Sequence, residues 1–177
     1  AIASGRLDRD LCRVVAATPG DTWLLEPGTL HAIGAGCFIY EIEQPSDLTY
    51  RISDWGRPAT AERHLHTAES LATVRPEAYA RRVGRDFQLV DEALVTPWFE
   101  LEIVEVSPTV TRRPLGESLE VVTAIDGPVI ATGSDWQEAI EPFQTLVVPA
   151  CVPAYDLAGG RAVRACIGSI PEVAQPG

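Results

Sequence analysis

The sequence predicts a mainly β fold broken by a short helical stretch, and three observations carry that reading. Runs of aromatic and branched aliphatic residues recur between Gly, Pro and Asp at roughly the 8–12-residue spacing of an all-β sandwich or barrel. Between residues 60 and 83 the texture changes to the capped, breaker-bounded runs of short helices. With 177 residues, 46% hydrophobic and 22% charged, the chain can bury a core in one or two compact units. The resulting organisation is a first β part over residues 1–58, a helical link over 59–84 and a second β part over 85–177.

Taken in order, Ala1–Leu11 mixes apolar and charged residues at near-helical spacing and predicts a short helix, ended by the turn cluster Thr18-Pro19-Gly20. Thr22–Leu25 and Cys37–Glu43 predict strands bounded by glycines, and the alternation of Leu48–Ser53 predicts a half-buried one. Trp55-Gly56-Arg57-Pro58 opens a loop. Thr67–Val74 predicts a two-turn helix with Thr67 as its N-cap and Pro76 as its stop, and Pro76–Arg82 a second, closed by Gly84. Beyond it, strands are predicted at Phe87–Val90, Phe99–Val106, Leu119–Ile125, Val129–Thr132, Leu146–Val148, Tyr155–Leu157 and Arg161–Ile167. A weak internal similarity links Gly20–His31 to Glu141–Ala154. Both run from a polar turn through an apolar strand to a Pro-containing turn, with Ala154 where the first has His31.

The formal net charge is −11 and every basic residue is an arginine. Such a field repels duplex nucleic acid and anionic membranes. No apolar run reaches the roughly 18 residues of a membrane span, and Ala1–Arg13 lacks the apolar core of a secretory signal, so a cytoplasmic protein is expected. Cys12, Cys37, Cys151 and Cys166 stand singly, which predicts free thiols. The chain has no methionine, and Ala1 is therefore expected to be internal to a longer reading frame.

Polar chemistry is densest in residues 20–57. His31 follows a strand and a Pro-Gly turn, where its imidazole would stand at a barrel rim within reach of a metal, or simply at the surface. Glu41 and Glu43 share one face of the predicted strand; they are solvated there, or, if that face lines a barrel, one can act as a base near neutral pH. Arg51 either forms a rim ion pair with Asp47 or aims its guanidinium at an oxyanion or phosphate. His64 and His66 alternate and could join His31 in a three-histidine zinc site, or lie at the helix start without one. Gly34-Ala35-Gly36 lacks the rest of a phosphate-binding glycine loop, and no Gly-x-Ser-x-Gly elbow occurs.

The run from Gly20-Asp21-Thr22-Trp23 through Pro27-Gly28-Thr29-Leu30-His31-Ala32-Ile33-Gly34-Ala35-Gly36 resembles type I mannose-6-phosphate isomerases. So does its continuation from Glu41-Ile42-Glu43-Gln44-Pro45-Ser46-Asp47 through Leu48-Thr49-Tyr50-Arg51 to Asp54 and Arg57, and Arg63-His64-Leu65-His66 resembles the family's R-E-L-H. The likeness is dense over residues 18–73 and rests on layout beyond Phe87. Glu26 and His64 depart from the pattern, standing where the family has Pro and Glu.

The resemblance implies a cupin-type jelly roll and a zinc-dependent aldose–ketose isomerase that interconverts mannose 6-phosphate and fructose 6-phosphate. It assigns His31 as a zinc ligand, Arg51 as an active-site cation and Glu41 as a pocket residue, and Arg57 would help meet the substrate phosphate. Moving a proton between C1 and C2 through an enediol needs a base, a cation for the developing enediolate and a metal to polarise oxygen. The family's other zinc ligands, a Q-x-H pair and a Glu, and its catalytic lysine lie upstream of the G-D motif, and residues 1–19 hold none of them. The chain is accordingly expected to be the C-terminal portion: part of the catalytic barrel, a helical link, and a second cupin-like barrel whose site has decayed to Ala154. It would be inactive alone, and its half-barrel would pair with a second copy through its exposed edge. The alternative is a stand-alone cupin that binds a sugar or a protein partner without catalysis.

Overall fold

The structure is a computed structural model that describes residues 12–44, 46, 48–84, 93–114, 116 and 118–167. The helix expected at Ala1–Leu11 and the strand expected at Phe87–Val90 lie outside the described residues. The chain divides into two compact units, Ala1–Val83 and Gly84–Gly177. Among the described residues no helix is long and apolar enough to cross a membrane.

In the first unit β1 (Thr22–Leu24) pairs with β2 (Arg81–Gly84), and α1 (Thr67–Thr73) lies between them in sequence. Arg82 ties the pair together, its guanidinium 4.8 Å above the Trp23 ring and 3.4 Å from the Asp21 carboxylate. This pairing explains why Pro76–Arg82 is not the expected helix. Arg81 onward is recruited by β1, and the chain before it turns through a hydrogen bond from Ala78 N–H to the Arg75 carbonyl. The helix at α1 forms where expected, but His66 rather than Thr67 occupies its N-cap, without a side-chain cap.

Cys37–Glu43 and Leu48–Ser53 are not strands. Phe38 is 79% and Leu48 72% exposed, whereas Ile52 is buried. Neither segment joins a ladder of the two sheets, and β propensity without a ladder does not make a strand.

The second unit is a seven-stranded antiparallel assembly of β3 (Ala93–Val95), β4 (Phe99–Glu105), β5 (Val110–Arg112), β6 (Glu120–Thr132), β7 (Gln137–Ile140), β8 (Thr145–Val148) and β9 (Tyr155–Ile167). β6 and β9 run its full length and pair with each other. β4 and β5 flank opposite ends of β9, and β8 and β7 opposite ends of β6. Val104, Val106, Val122, Ala124, Val129, Ala131, Ile140, Val148, Leu157 and Ala162 meet on the inner face.

The sequence breaks β6 and β9 into two strands each, at Asp126-Gly127-Pro128 and Ala158-Gly159-Gly160. They are instead continuous strands whose register shifts at these residues. A Cβ on Gly160 would lie 2.0 Å from the Asp126 carbonyl oxygen, so the two irregular segments pack backbone to backbone. Gly160→Ala is expected to lose about 2–3 kcal/mol in chemical denaturation, because rigid backbone rather than a flexible side chain must move. An unchanged midpoint would show that the crossing is loose.

Candidate active site

Arg51 is held by its main chain. Its N–H donates to His66 Nδ1 at 3.0 Å, and the His66 N–H returns a bond to the Arg51 carbonyl at 2.8 Å. Three residues further along each segment, Asp54 faces Arg63. The guanidinium is bidentate, Nη2 to Oδ1 at 2.7 Å and Nε to Oδ2 at 3.2 Å. Arg57 closes on the same carboxylate at 2.7 Å, and its Nε donates to the Asp54 carbonyl at 3.2 Å. Asp54 is 6% exposed, whereas the Arg57 side chain is 59% exposed and still presents an edge to solvent.

The hydrogen bonds from Arg63 hold the Asp54 carboxyl below its ordinary value of 3.8. They act against burial, with further attraction from Arg57, Arg63 and Arg51. One carboxylate thus sits among the three guanidiniums of Arg51, Arg57 and Arg63, a locally positive region in a chain of net charge −11. No ion pair to the Arg51 guanidinium falls among the described residues.

Because the folded carboxyl binds its proton more weakly than the unfolded one, its stabilisation is complete above the ordinary value and is lost as pH falls through the lower folded value. Acid titration of unfolding stability is expected to steepen below about pH 4 and to flatten in Asp54→Asn. Parallel curves for parent and variant would remove Asp54 from the acid response.

His31 sits on a turn braced by α1. Gly28 has φ +83°, and a Cβ there would lie 2.8 Å from the Thr73 carbonyl oxygen; Arg75 N–H donates to the Gly28 carbonyl at 3.0 Å. The seven-residue helix, about 10 Å long, therefore holds the Gly28 turn at its end and, through His66, Arg51 at its start. His31 is exposed, and its Nδ1 lies 2.9 Å from the Thr29 carbonyl. A carbonyl can only accept, so Nδ1 carries the proton and Nε2 keeps its lone pair, the arrangement in which a histidine is ready to ligate a metal.

That fits one ligand, not a site. Among the described residues no three His, Cys, Asp or Glu side chains are grouped to hold a metal ion. The three-histidine site does not form. The His64 and His66 rings lie 4.3 Å apart, and His66 Nδ1 is taken by Arg51. Glu41 is exposed on a segment that is not a strand, and no hydrogen bond or ion pair among the described residues joins it to Arg51 or His31.

A second charged cluster, missed from sequence, lies inside the second unit. Glu120, 2% exposed, accepts from Tyr155 Oη at 2.6 Å and from Arg164 Nε at 3.0 Å, and Arg164 Nη2 reaches the same carboxylate. Arg164 Nη1 also donates to Glu102 at 3.2 Å, and Arg112 pairs with Glu102 at 3.1 Å. Burial and then Glu120 push the Tyr155 hydroxyl well above its ordinary value. Burial works against the Arg164 charge, but the bonds to Glu120 outweigh it and hold the guanidinium more firmly protonated than usual. The available signal was parity: Glu102 and Val104 share one face of β4, and Glu120 and Val122 one face of β6, so these charges point toward the core.

Among solved structures, a mannose 6-phosphate isomerase from Bacillus subtilis superposes with a TM-score of 0.53, covering 68% of this chain and 40% of that chain at 16% identity. The chain has a cupin-type β fold. The jelly-roll expectation is met, most fully by the seven strands of the second unit. No protein-family model matches this chain. Among curated proteins it is similar to mannose-6-phosphate isomerase ManA of Bacillus subtilis, 32% identical over 93 residues, 51% of this chain and 30% of that protein. It is also similar to the mannose-6-phosphate isomerase of Streptococcus mutans, 27% identical over 164 residues, 89% of this chain and 51% of that protein. The chain thus spans about half or less of the length of these relatives.

Proposed function

We propose that this chain is the C-terminal part of a zinc-dependent mannose-6-phosphate isomerase, with residues 1–58 in its catalytic barrel, 59–84 as the link and 85–177 as the second barrel. The observation that carries this reading is the arginine cluster around Asp54, built by the residues of the resembling motif: positive charge gathered for a phosphohexose in an otherwise acidic chain. The curated relatives named above support the reaction.

In this reading Arg51 faces the oxygen that becomes an enediolate, and its guanidinium stabilises the charge that develops there. Arg57, held by Asp54 but open on one edge, meets the phosphate. Glu41 is assigned to the same pocket. His31 offers its Nε2 as a zinc ligand, and the remaining ligands come from outside the residues described here; the residues present do not complete a zinc site, so no step is drawn through the metal.

That incompleteness favours a second reading, a cupin that binds a sugar phosphate without turning it over. The test is conversion of mannose 6-phosphate to fructose 6-phosphate by the full protein that carries this chain. Turnover abolished by chelation and restored by zinc is expected. Saturable sugar-phosphate binding with no conversion would overturn the isomerase reading in favour of the second.

A further inference from the structure

Resting on the isomerase reading, we infer that His66 is a positioning residue for Arg51, and that Tyr50-Arg51-x-x-Asp54 and Arg63-x-x-His66 are one antiparallel unit built to aim that guanidinium. The register is set at two points, Arg51 opposite His66 and Asp54 opposite Arg63, each held by a pair of hydrogen bonds. His66 is fixed in turn. Its carbonyl accepts the Ser70 N–H, which starts α1, and its ring packs against Tyr50 and His64 at centroid distances of 5.8 and 4.3 Å.

The ring chemistry is specific. A backbone N–H can only donate, so His66 Nδ1 must be the unprotonated nitrogen and the proton must sit on Nε2. His31 and His64 are the reverse, each donating Nδ1–H to a carbonyl, that of Thr29 and of Ala61. Among the described residues the hydrogen bond from the His66 ring to Arg51 is to its main chain, so His66 acts on Arg51 by fixing where its side chain begins. A shift of about 1 Å at that point is enough to lower turnover about a hundredfold.

The test combines spectroscopy with a substitution series in the full protein. Long-range 1H–15N correlation with 15N-histidine should show His66, identified by the signal lost in His66→Leu, as the Nε2–H tautomer, and His31 and His64, identified in the same way, as Nδ1–H. In the isomerase assay His66→Leu should lower kcat about ten- to a hundredfold with KM changed less than threefold, taking misplacement as the cause. His66→Asn, whose Oδ1 stands where Nδ1 stood, should restore kcat to within about threefold of the parent. Adding His66→Leu to Arg51→Gln should cost nothing further, because both act through one guanidinium.

Should His66→Leu fail to fold, the tautomer and His66→Asn still decide. Nδ1–H at His66, or an Asn variant no better than Leu, would overturn the inference, as would an unchanged kcat in Leu. If the parent protein converts no substrate, the isomerase reading fails. The tautomer spectrum then reports on the hydrogen bond alone, and the Nε2–H form would show that the paired unit stands without its catalytic purpose.

Discussion

Replacing Glu120 with alanine is expected to destabilise the second unit by about 3–5 kcal/mol, the largest single stability loss in the chain. Removing one member of a buried ion pair leaves its partner charged in a medium that cannot solvate it. Arg164 loses the carboxylate that keeps it protonated against burial, and the Tyr155 hydroxyl loses its acceptor. Glu102 does not replace Glu120, since it is already shared between Arg164 and Arg112. Tyr155→Phe, which removes a donor and keeps the ring, should cost only about 1–2 kcal/mol. Exchanging Glu120 and Arg164 together for leucines should cost less than Glu120→Ala alone, because no charge is then left unpaired. Denaturant unfolding of the three variants checks the order, and a Glu120→Ala loss below that of Tyr155→Phe would show the cluster to be open to water.

On the isomerase reading, Arg51→Gln in the full protein is expected to lower kcat/KM about 10²–10³-fold, the range observed on removing one donor from a preorganised oxyanion site. The fold should tolerate the change. Arg51's bonds to His66 are made by its main chain, and no ion pair among the described residues depends on its guanidinium. Arg51→Lys should fall between the two, keeping the charge but losing the planar fork. Isomerase kinetics beside an unfolding curve separate these effects. Equal loss of activity and stability in Arg51→Gln would make the residue a structural one.

How much could be read from the residues depended on whether a partner was written nearby. Phe99–Val106 is legible as a strand because its neighbours in β9 and β3 exist, and the structure gives Phe99–Glu105. Cys37–Glu43 carries the same kind of composition, yet it joins no strand ladder among the described residues and stays irregular. Glycine misled in a different way. Gly127, Gly159 and Gly160 look like turn residues, but they let two strands kink against each other without stopping.

At the site, sequence marked His31, Arg51 and Arg57 but not what holds them. Asp54 was visible only as a spacer in a motif, and its role as the shared counterion of Arg57 and Arg63 depends on a chain reversal that periodicity does not encode. His66 was read as a candidate ligand because histidine so often is one. The structure spends its Nδ1 on a backbone N–H instead.

The place of β9 in the second unit also governs the order in which that unit can be made. Tyr155–Ile167 is the last described strand and yet the partner of β4, β5 and β6. On a ribosome, β4 and β6 emerge first and each waits with one open edge until some sixty and forty-five residues more have been synthesised, as the pairings of Glu102 with Arg164 and of Glu120 with Cys166 require. Among the described residues β9 is the last partner of both strands to be made, so completion of the sheet is a late, long-range event of the kind that folds slowly. During that interval the valines destined for the interior and the half-built charge cluster are exposed together, the kind of transient apolar surface that favours aggregation.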